Sequence, residues 1–381
     1  MAGPLSGLRV IELAGLGPGP FASMMLADMG ADVIKVDRAS ASRGGNPGAP
    51  PADVLSRGRQ SIGVDLKNPD GVETVLKLVE RSDILIEGFR PGVCERLGLG
   101  PETCLERNPR LIFGRMTGWG QDGPWAERAG HDINYVALSG TLSMIGRKGE
   151  RPVPPVNLIG DFGGGGMLLA FGVLAAVYER TNSGVGQVVD AAMVDGAALL
   201  SSMMYGLKAM GIWGGGQGGN MLDTGAHFYE VYETADGKFV SLGGIEPQFY
   251  AELLERLEID PEIMPPQHDA TRWNEAKAIF EARISEKTRD EWEVVFAGSD
   301  ACFAPVLDAD EARFHEHNQE RNTFITVAGV PQPAPAPRFS RTPTETPTPP
   351  AHLGQHTTEA LGRWGFTADE LDALRESGAI A

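Results

Sequence analysis

A chain of 381 residues, 42% hydrophobic and 22% charged, has the composition of an ordinary globular protein and exceeds the size at which one core stops growing, so two domains are expected. Its formal net charge of −18 repels nucleic acid and anionic membranes globally, and any anionic ligand needs a local arginine cluster working against that field. Cys94, Cys104 and Cys302 are an odd set without C-x-x-C spacing, which suits reduced thiols better than a disulfide framework or a zinc site. No apolar run reads as long enough to cross a bilayer, Met1–Pro4 has no leader-like pattern and Gly378–Ala381 carries no address. A cytoplasmic protein with no membrane contact is therefore expected.

In chain order, Leu8 to Leu13 predicts a buried strand, Gly15-Leu16-Gly17-Pro18-Gly19 a tight turn, Phe21 to Met29 a helix and Asp32 to Val36 a second strand. The alternation continues through a strand at 61–66, a helix at 69–79 and strands at 83–86 and 111–113, which together predict a parallel, doubly wound α/β sheet. Phe162 to Glu179 opens with four glycines and predicts a helix packed closely on that sheet; Gln187 to Val189 predicts its neighbouring strand, with Asp190 capping the next helix. After about Leu200 a Met- and Gly-rich stretch leads to a hairpin, Tyr229 to Thr234 and Phe239 to Leu242, the start of a smaller α+β domain with helices at 248–257 and 273–284. Pro331 to Pro350 predicts an extended crossover, and Thr367-Ala368-Asp369-Glu370 a capping box opening a last helix. The resulting division is a large domain at 1–190 completed by 325–381, linker helices at 191–228, a small domain at 229–310 and a returning linker at 311–350, with 351–381 rejoining the large domain.

The opening glycines invite a dinucleotide-binding interpretation with Asp37 on a ribose, but their spacing fails G-x-G-x-x-G and Pro18 and Pro20 remove amide donors. Arg38 is the more useful residue, because a phosphate-rich ligand needs bidentate donors. Arg57, Arg59, Arg90 and Arg96 also lie near strand ends or in the loops after them; solvated surface charge is the plain alternative for each.

From Leu5 almost to its end the chain resembles the α-methylacyl-CoA racemases, members of the family III CoA-transferase superfamily. The resemblance is carried by Gly15 to Pro20, Arg57-Gly58-Arg59-Gln60-Ser61, Met116 to Gln121, Gly130-His131-Asp132-Ile133-Asn134-Tyr135, Gly160-Asp161-Phe162, Gly186 to Val194 and Ile245-Glu246-Pro247-Gln248-Phe249-Tyr250. It implies a Rossmann-like large domain, a small α+β domain and two chains interlocked as a homodimer. It implies further that Arg38 reaches the nucleotide end of coenzyme A, with Arg57, Arg59 and Arg96 near its phosphates. Leu55, Ser56, Gly58, Gly88 and Phe89 would line the adenine and pantetheine path, and Gly130 and Tyr135 complete the binding set. No metal, nicotinamide or flavin is implied; coenzyme A enters as part of the substrate.

Inverting a carbon α to a thioester removes a proton from one face and returns one to the other, so two groups of moderate proton affinity must flank it. His131 suits one face, with Glu246 implied by the resemblance as the carboxylate that orients its ring. Asp161 suits the other if burial raises its pKa, and the backbone N–H of Asp132 is the family's candidate for the enolate oxygen. Each residue also has a plainer role: His131 as a helix-start residue, Asp161 as a cap, Glu246-Pro247 as a helix start. Met193, Met203, Met204, Met210 and Met221 are core residues or an adaptable surface for an acyl chain. The rival activity is CoA transfer with Asp161 as nucleophile, supported by Gly214-Gly215-Gly216-Gln217, which resembles a transferase glycine flap. A non-enzymatic acyl-CoA binding protein is a third possibility. Thr224 and His227 stand where close relatives are expected to carry glycine and proline.

Overall fold

The computed structural model describes residues 2–41 and 50–381, which divide into two compact units: 1–139, 156–200 and 319–381, and 140–155 with 201–318. Residues 140–155, expected in the large domain, thus belong to the second unit, and residues 191–200, expected as linker, belong to the first.

The first unit is built on β1 (Arg9–Leu13), β2 (Asp32–Arg38), β3 (Gln60–Val64), β4 (Ile84–Glu87), β5 (Ile112–Thr117) and β6 (Gln187–Ala192), ordered β3-β2-β1-β4-β5-β6 and all parallel. Parallel strands are covered on both faces, which is why they read as continuous apolar runs such as Ile84–Ile86. One face packs Leu26, Leu169 and Val173. The other packs Leu78 and Phe113 with Leu361, Trp364 and Leu371 from the last two helices, Thr357–Arg363 and Ala368–Glu376. The capping box predicted at Thr367 and Glu370 is present, and the chain ends by hydrogen bonding Ala381 N–H to the Gly63 carbonyl.

The helix Pro18–Asp28 begins inside the segment expected to be a turn: Pro18 and Pro20 sit in its first turn, where amides lack intrahelical acceptors anyway. The helix expected from Phe162 instead starts at Leu158 as a π-helix, Leu158–Met167, and continues as the α-helix Leu168–Ser183. Its glycines permit close crossing of other backbones: a Cβ on Gly164 would stand 2.6 Å from the Ala197 nitrogen, and one on Gly166 2.7 Å from the Pro18 carbonyl. The joined run Leu158–Ser183 has 26 residues and contains an 18-residue stretch of mean hydropathy 1.6, so among the described residues one helix is apolar enough for bilayer length, contrary to expectation. The sequence hid it because Asp161 and the glycines looked like its beginning. Asp190 caps nothing; it lies within β6, and its carboxylate accepts from the Gln121 N–H at 3.1 Å. Of the proline-rich crossover, Val330–Pro333 forms β11, paired antiparallel with β10 (Phe324–Val327).

In the second unit β7 (Tyr229–Glu233), β8 (Phe239–Gly243) and β9 (Phe303–Val306) form an antiparallel sheet under the helices Pro247–Arg256, Trp273–Ile284 and Arg289–Phe296. The core joins Phe228, Tyr232, Leu253, Phe280 and Trp292. Buried Glu230 accepts two hydrogen bonds from Arg147, both 2.9 Å, and one from Lys277 at 2.9 Å, tying residues 140–155 to this unit. The glycine run is pinned: Gly215 N–H bonds Asn220 Oδ1 at 3.0 Å, Gly218 N–H bonds Asp223 at 2.9 Å, and the Gln217 amide donates to the Arg147 and Glu150 carbonyls.

Candidate active site

The strand order reverses between β1 and β4, and in an open parallel sheet the crevice beyond the strand ends at such a reversal is where ligands bind. A cavity of about 390 Å³ lies there, lined by Leu13 at the end of β1, Ile86 near the end of β4 and Gly88 just after it, and Met116 and Thr117 at the end of β5. Both proton-transfer candidates, His131 and Asp161, face it. It is also lined by Phe89, Gly130 and Tyr135, and by Trp119, Arg90, Arg128 and Met193.

His131 is the residue before the helix Asp132–Leu138; its own N–H donates to Asn134 Oδ1 at 3.0 Å, which locks the backbone there. Tyr135 braces the approach by donating its hydroxyl to the Gly130 carbonyl and packing edge-on against Trp119, with ring centroids 4.7 Å apart. Gly118 and Gly130 are required beside it, because a Cβ on either would stand 2.1 or 2.7 Å from the Tyr135 ring. Asp132 lies in the first helical turn, where its N–H has no intrahelical acceptor.

Asp161 sits in the first turn of the π-helix, not before it, so it caps nothing. Its Oδ2 accepts from the Asn157 side-chain amide at 2.9 Å. Burial pushes its carboxyl above the usual aspartate range; the Asn157 bond works against this, Asp132 adds to it and His131 opposes it. Gly17, in the left-handed region at φ 69°, lies beside Asp161: a Cβ there would be in van der Waals contact with Oδ2 at 3.5 Å. Asp37, the ribose candidate, is buried and accepts from Ser61 Oγ at 2.6 Å.

The expected coenzyme A residues separate into groups. Arg38 stands exposed at the C-terminal end of β2, and Arg96 is exposed near the end of the short helix Val93–Arg96. Arg57 and Arg59, expected near the phosphates, each hold the guanidinium buried on a carboxylate. Arg57 binds Asp28 at 2.6 and 3.1 Å together with Gln332 and the Pro333 carbonyl, and Arg59 binds Glu12 and the Leu55 carbonyl. Ser56 donates to Asp53 at 2.6 Å, and Gly58 takes a positive φ of 73° with its N–H on the Thr348 carbonyl. Glu246 belongs to the second unit, where it precedes the helix Pro247–Arg256 without using its side chain to cap it. His227 is wholly buried in that unit's core, its Nε2 2.8 Å from the Tyr250 hydroxyl, and burial, then Lys277 and His268, hold it down to about 4. Thr224 takes a φ of 72°, a glycine-like backbone. Asn157 was missed, and only the spacing Asn157-x-x-x-Asp161 hinted at it.

Residues 5–357 match the profile of CoA-transferase family III, and the chain belongs to that family. Within it, the chain is 48% identical to the alpha-methylacyl-CoA racemase of Mus musculus, over 99% of this chain and 97% of that one, and 45% identical to the alpha-methylacyl-CoA racemase of Homo sapiens over the same shares. The crystal structure of a CAIB/BAIF family protein from Brucella suis superposes with a TM-score of 0.81 at 25% identity, covering 96% of this chain and all of that one.

Proposed function

We propose that the protein is an isomerase that interconverts (2R)- and (2S)-2-methylacyl-CoA thioesters. The observation that carries this is the convergence of His131 and Asp161 on one cavity at the sheet reversal. One removes the α-proton while the other, starting protonated, returns a proton to the opposite face; the roles exchange for the other epimer. A carboxyl raised by burial is suited to both halves of that cycle. The thioester enolate formed between them is stabilised by the Asp132 N–H.

Coenzyme A is held by Arg38 and Arg96, with Gly88, Phe89, Gly130 and Tyr135 along the pantetheine path; the last four line the cavity. The working form is an interlocked homodimer. Its support is the apolar side of the helix Leu168–Ser183, where Phe171 is 71% and Tyr178 73% exposed, more than a monomer's surface normally leaves uncovered. We infer a cytoplasmic site of action with neither nucleic acid nor membrane as partner, a reading supported by the formal net charge of −18, which repels both nucleic acid and anionic lipid.

The test is incubation of one epimer of a 2-methylacyl-CoA in deuterated water without an acceptor acid. Deuterium at the α-carbon together with epimerisation is expected; no exchange, but acyl transfer once a free acid is added, would establish CoA transfer instead.

A further inference from the structure

We infer that the side-chain carboxylate of Asp132 is the positioning residue that fixes Asp161 relative to His131. This inference rests on the racemase reading above.

The helix that starts at Asp132 carries His131 immediately before it, and the π-helix Leu158–Met167 carries Asp161. The two segments are separate in sequence, and two proton-transfer groups must be held to within about 0.5 Å of productive geometry. Asp132 joins them directly. Its Oδ1 accepts from the Gly160 N–H at 2.6 Å and from the Asp161 N–H at 2.8 Å. One oxygen thus binds two successive amides at the open start of the π-helix, where backbone donors lack helical partners. The residue is 6% exposed, so these charge-assisted bonds compete with little water.

Two further observations show that the joint is specific. Gly160 has no room for a side chain: its Cβ would stand 2.5 Å from Asp132 Oδ1 and 2.9 Å from Cγ, so the contact requires glycine there. Oδ2 of Asp132 is buried as well and takes no hydrogen bond, so the carboxylate is committed through Oδ1 to these two amides. The carboxylate also lies close enough to Asp161 to raise its proton affinity. Neither Asp132 oxygen needs to touch substrate: it acts through the backbone of Asp161 and through charge.

The experiment compares wild type, Asp132→Ala, Asp132→Asn and Gly160→Ala by α-proton exchange and epimerisation of one 2-methylacyl-CoA epimer. Coenzyme A affinity and thermal unfolding are measured in parallel. Asp132→Ala is expected to lower kcat by about 100-fold with KM within about threefold, the cost of roughly 1 Å of misplacement between reacting groups. Asp132→Asn keeps an acceptor oxygen for both amides and should recover at least about tenfold of that loss. Gly160→Ala, which opens the same joint from the other side, should reproduce the Asp132→Ala split between kcat and KM. Retention of kcat within a few fold in folded Asp132→Ala, or an Asp132→Asn as impaired as Asp132→Ala, overturns the inference while leaving the racemase reading intact. Absence of exchange in the wild type overturns both.

Discussion

The side-chain amide of Asn157 donates to Oδ2 of Asp161 across one turn of π-helix, at 2.9 Å. It leaves Oδ1 as the oxygen without that amide, and it stabilises the ionised carboxyl against burial. Replacing Asn157 with leucine removes a bond to the charged form, so the already raised pKa of Asp161 climbs further. Asp161 must be ionised to act as base. For the epimer that Asp161 deprotonates, the acidic limb of the kcat/KM profile is therefore expected to move to higher pH. A limb that stays put or moves to lower pH would show that Asp161 is not the titrating group.

Arg57 predicts a separation of stability from binding. Its guanidinium is 2% exposed and bridges Asp28 to the β11 hairpin through Gln332. Arg57→Met leaves Asp28 buried and unpaired, which costs about 3–5 kcal/mol in urea unfolding. Under conditions where the variant is folded, coenzyme A affinity should change less than about threefold. Arg38→Ala should do the reverse, weakening binding with unfolding shifted by about 0.5 kcal/mol or less.

Trp364 anchors the returning C-terminal segment on the sheet. It is 1% exposed, and its indole N–H donates to Asp32 Oδ2 at 2.9 Å. Trp364→Ala is expected to lower stability by about 3–5 kcal/mol through lost burial and a cavity. A loss below about 1 kcal/mol by chemical denaturation would mean the last two helices contribute little to the first unit's core.

Glu230 makes the second unit acid-sensitive. Burial alone would raise its pKa, but the bonds from Arg147 and Lys277 outweigh burial and hold it below the ordinary value. A depressed folded pKa means the ion cluster stabilises fully above the unfolded value of about 4.3 and loses that contribution as pH falls through the folded pKa. The stability gap between wild type and Glu230→Gln should therefore be large near neutral pH and shrink on acidification. A gap that grows on acidification would contradict the sign.

The strand–helix alternation was legible because parallel strands are apolar on both faces, as in Ile84–Ile86, and the helix Pro69–Val79 follows its own period and is capped by Asn68. His131 and Asp161 were legible through motifs, and the structure places both on one cavity. What failed shares one cause: the deciding partners were far away in sequence. Arg57 and Arg59 carry charges suited to phosphate, and nothing local announces that Asp28 and Glu12 bind them inside the fold. The π-helical start at Leu158 depends on glycine backbones crossing the helices Pro18–Asp28 and Met193–Leu200, which single-segment periodicity does not register. Asp190 follows the pattern of a cap, but pairing with β5 keeps it in the strand.

The hydrogen bond from Ala381 to Gly63 sets an order on assembly. β3 is the edge of the six-stranded sheet, and its open side bridges Ile380 through Val64. During synthesis the first four strands leave the ribosome long before the residues that cover that edge. Until then Trp364 and Leu361 are missing from one face of the sheet, and β3 offers its unpaired backbone to any other nascent chain. Docking of the C-terminal segment thus closes an edge that would otherwise stay open to pairing with other chains.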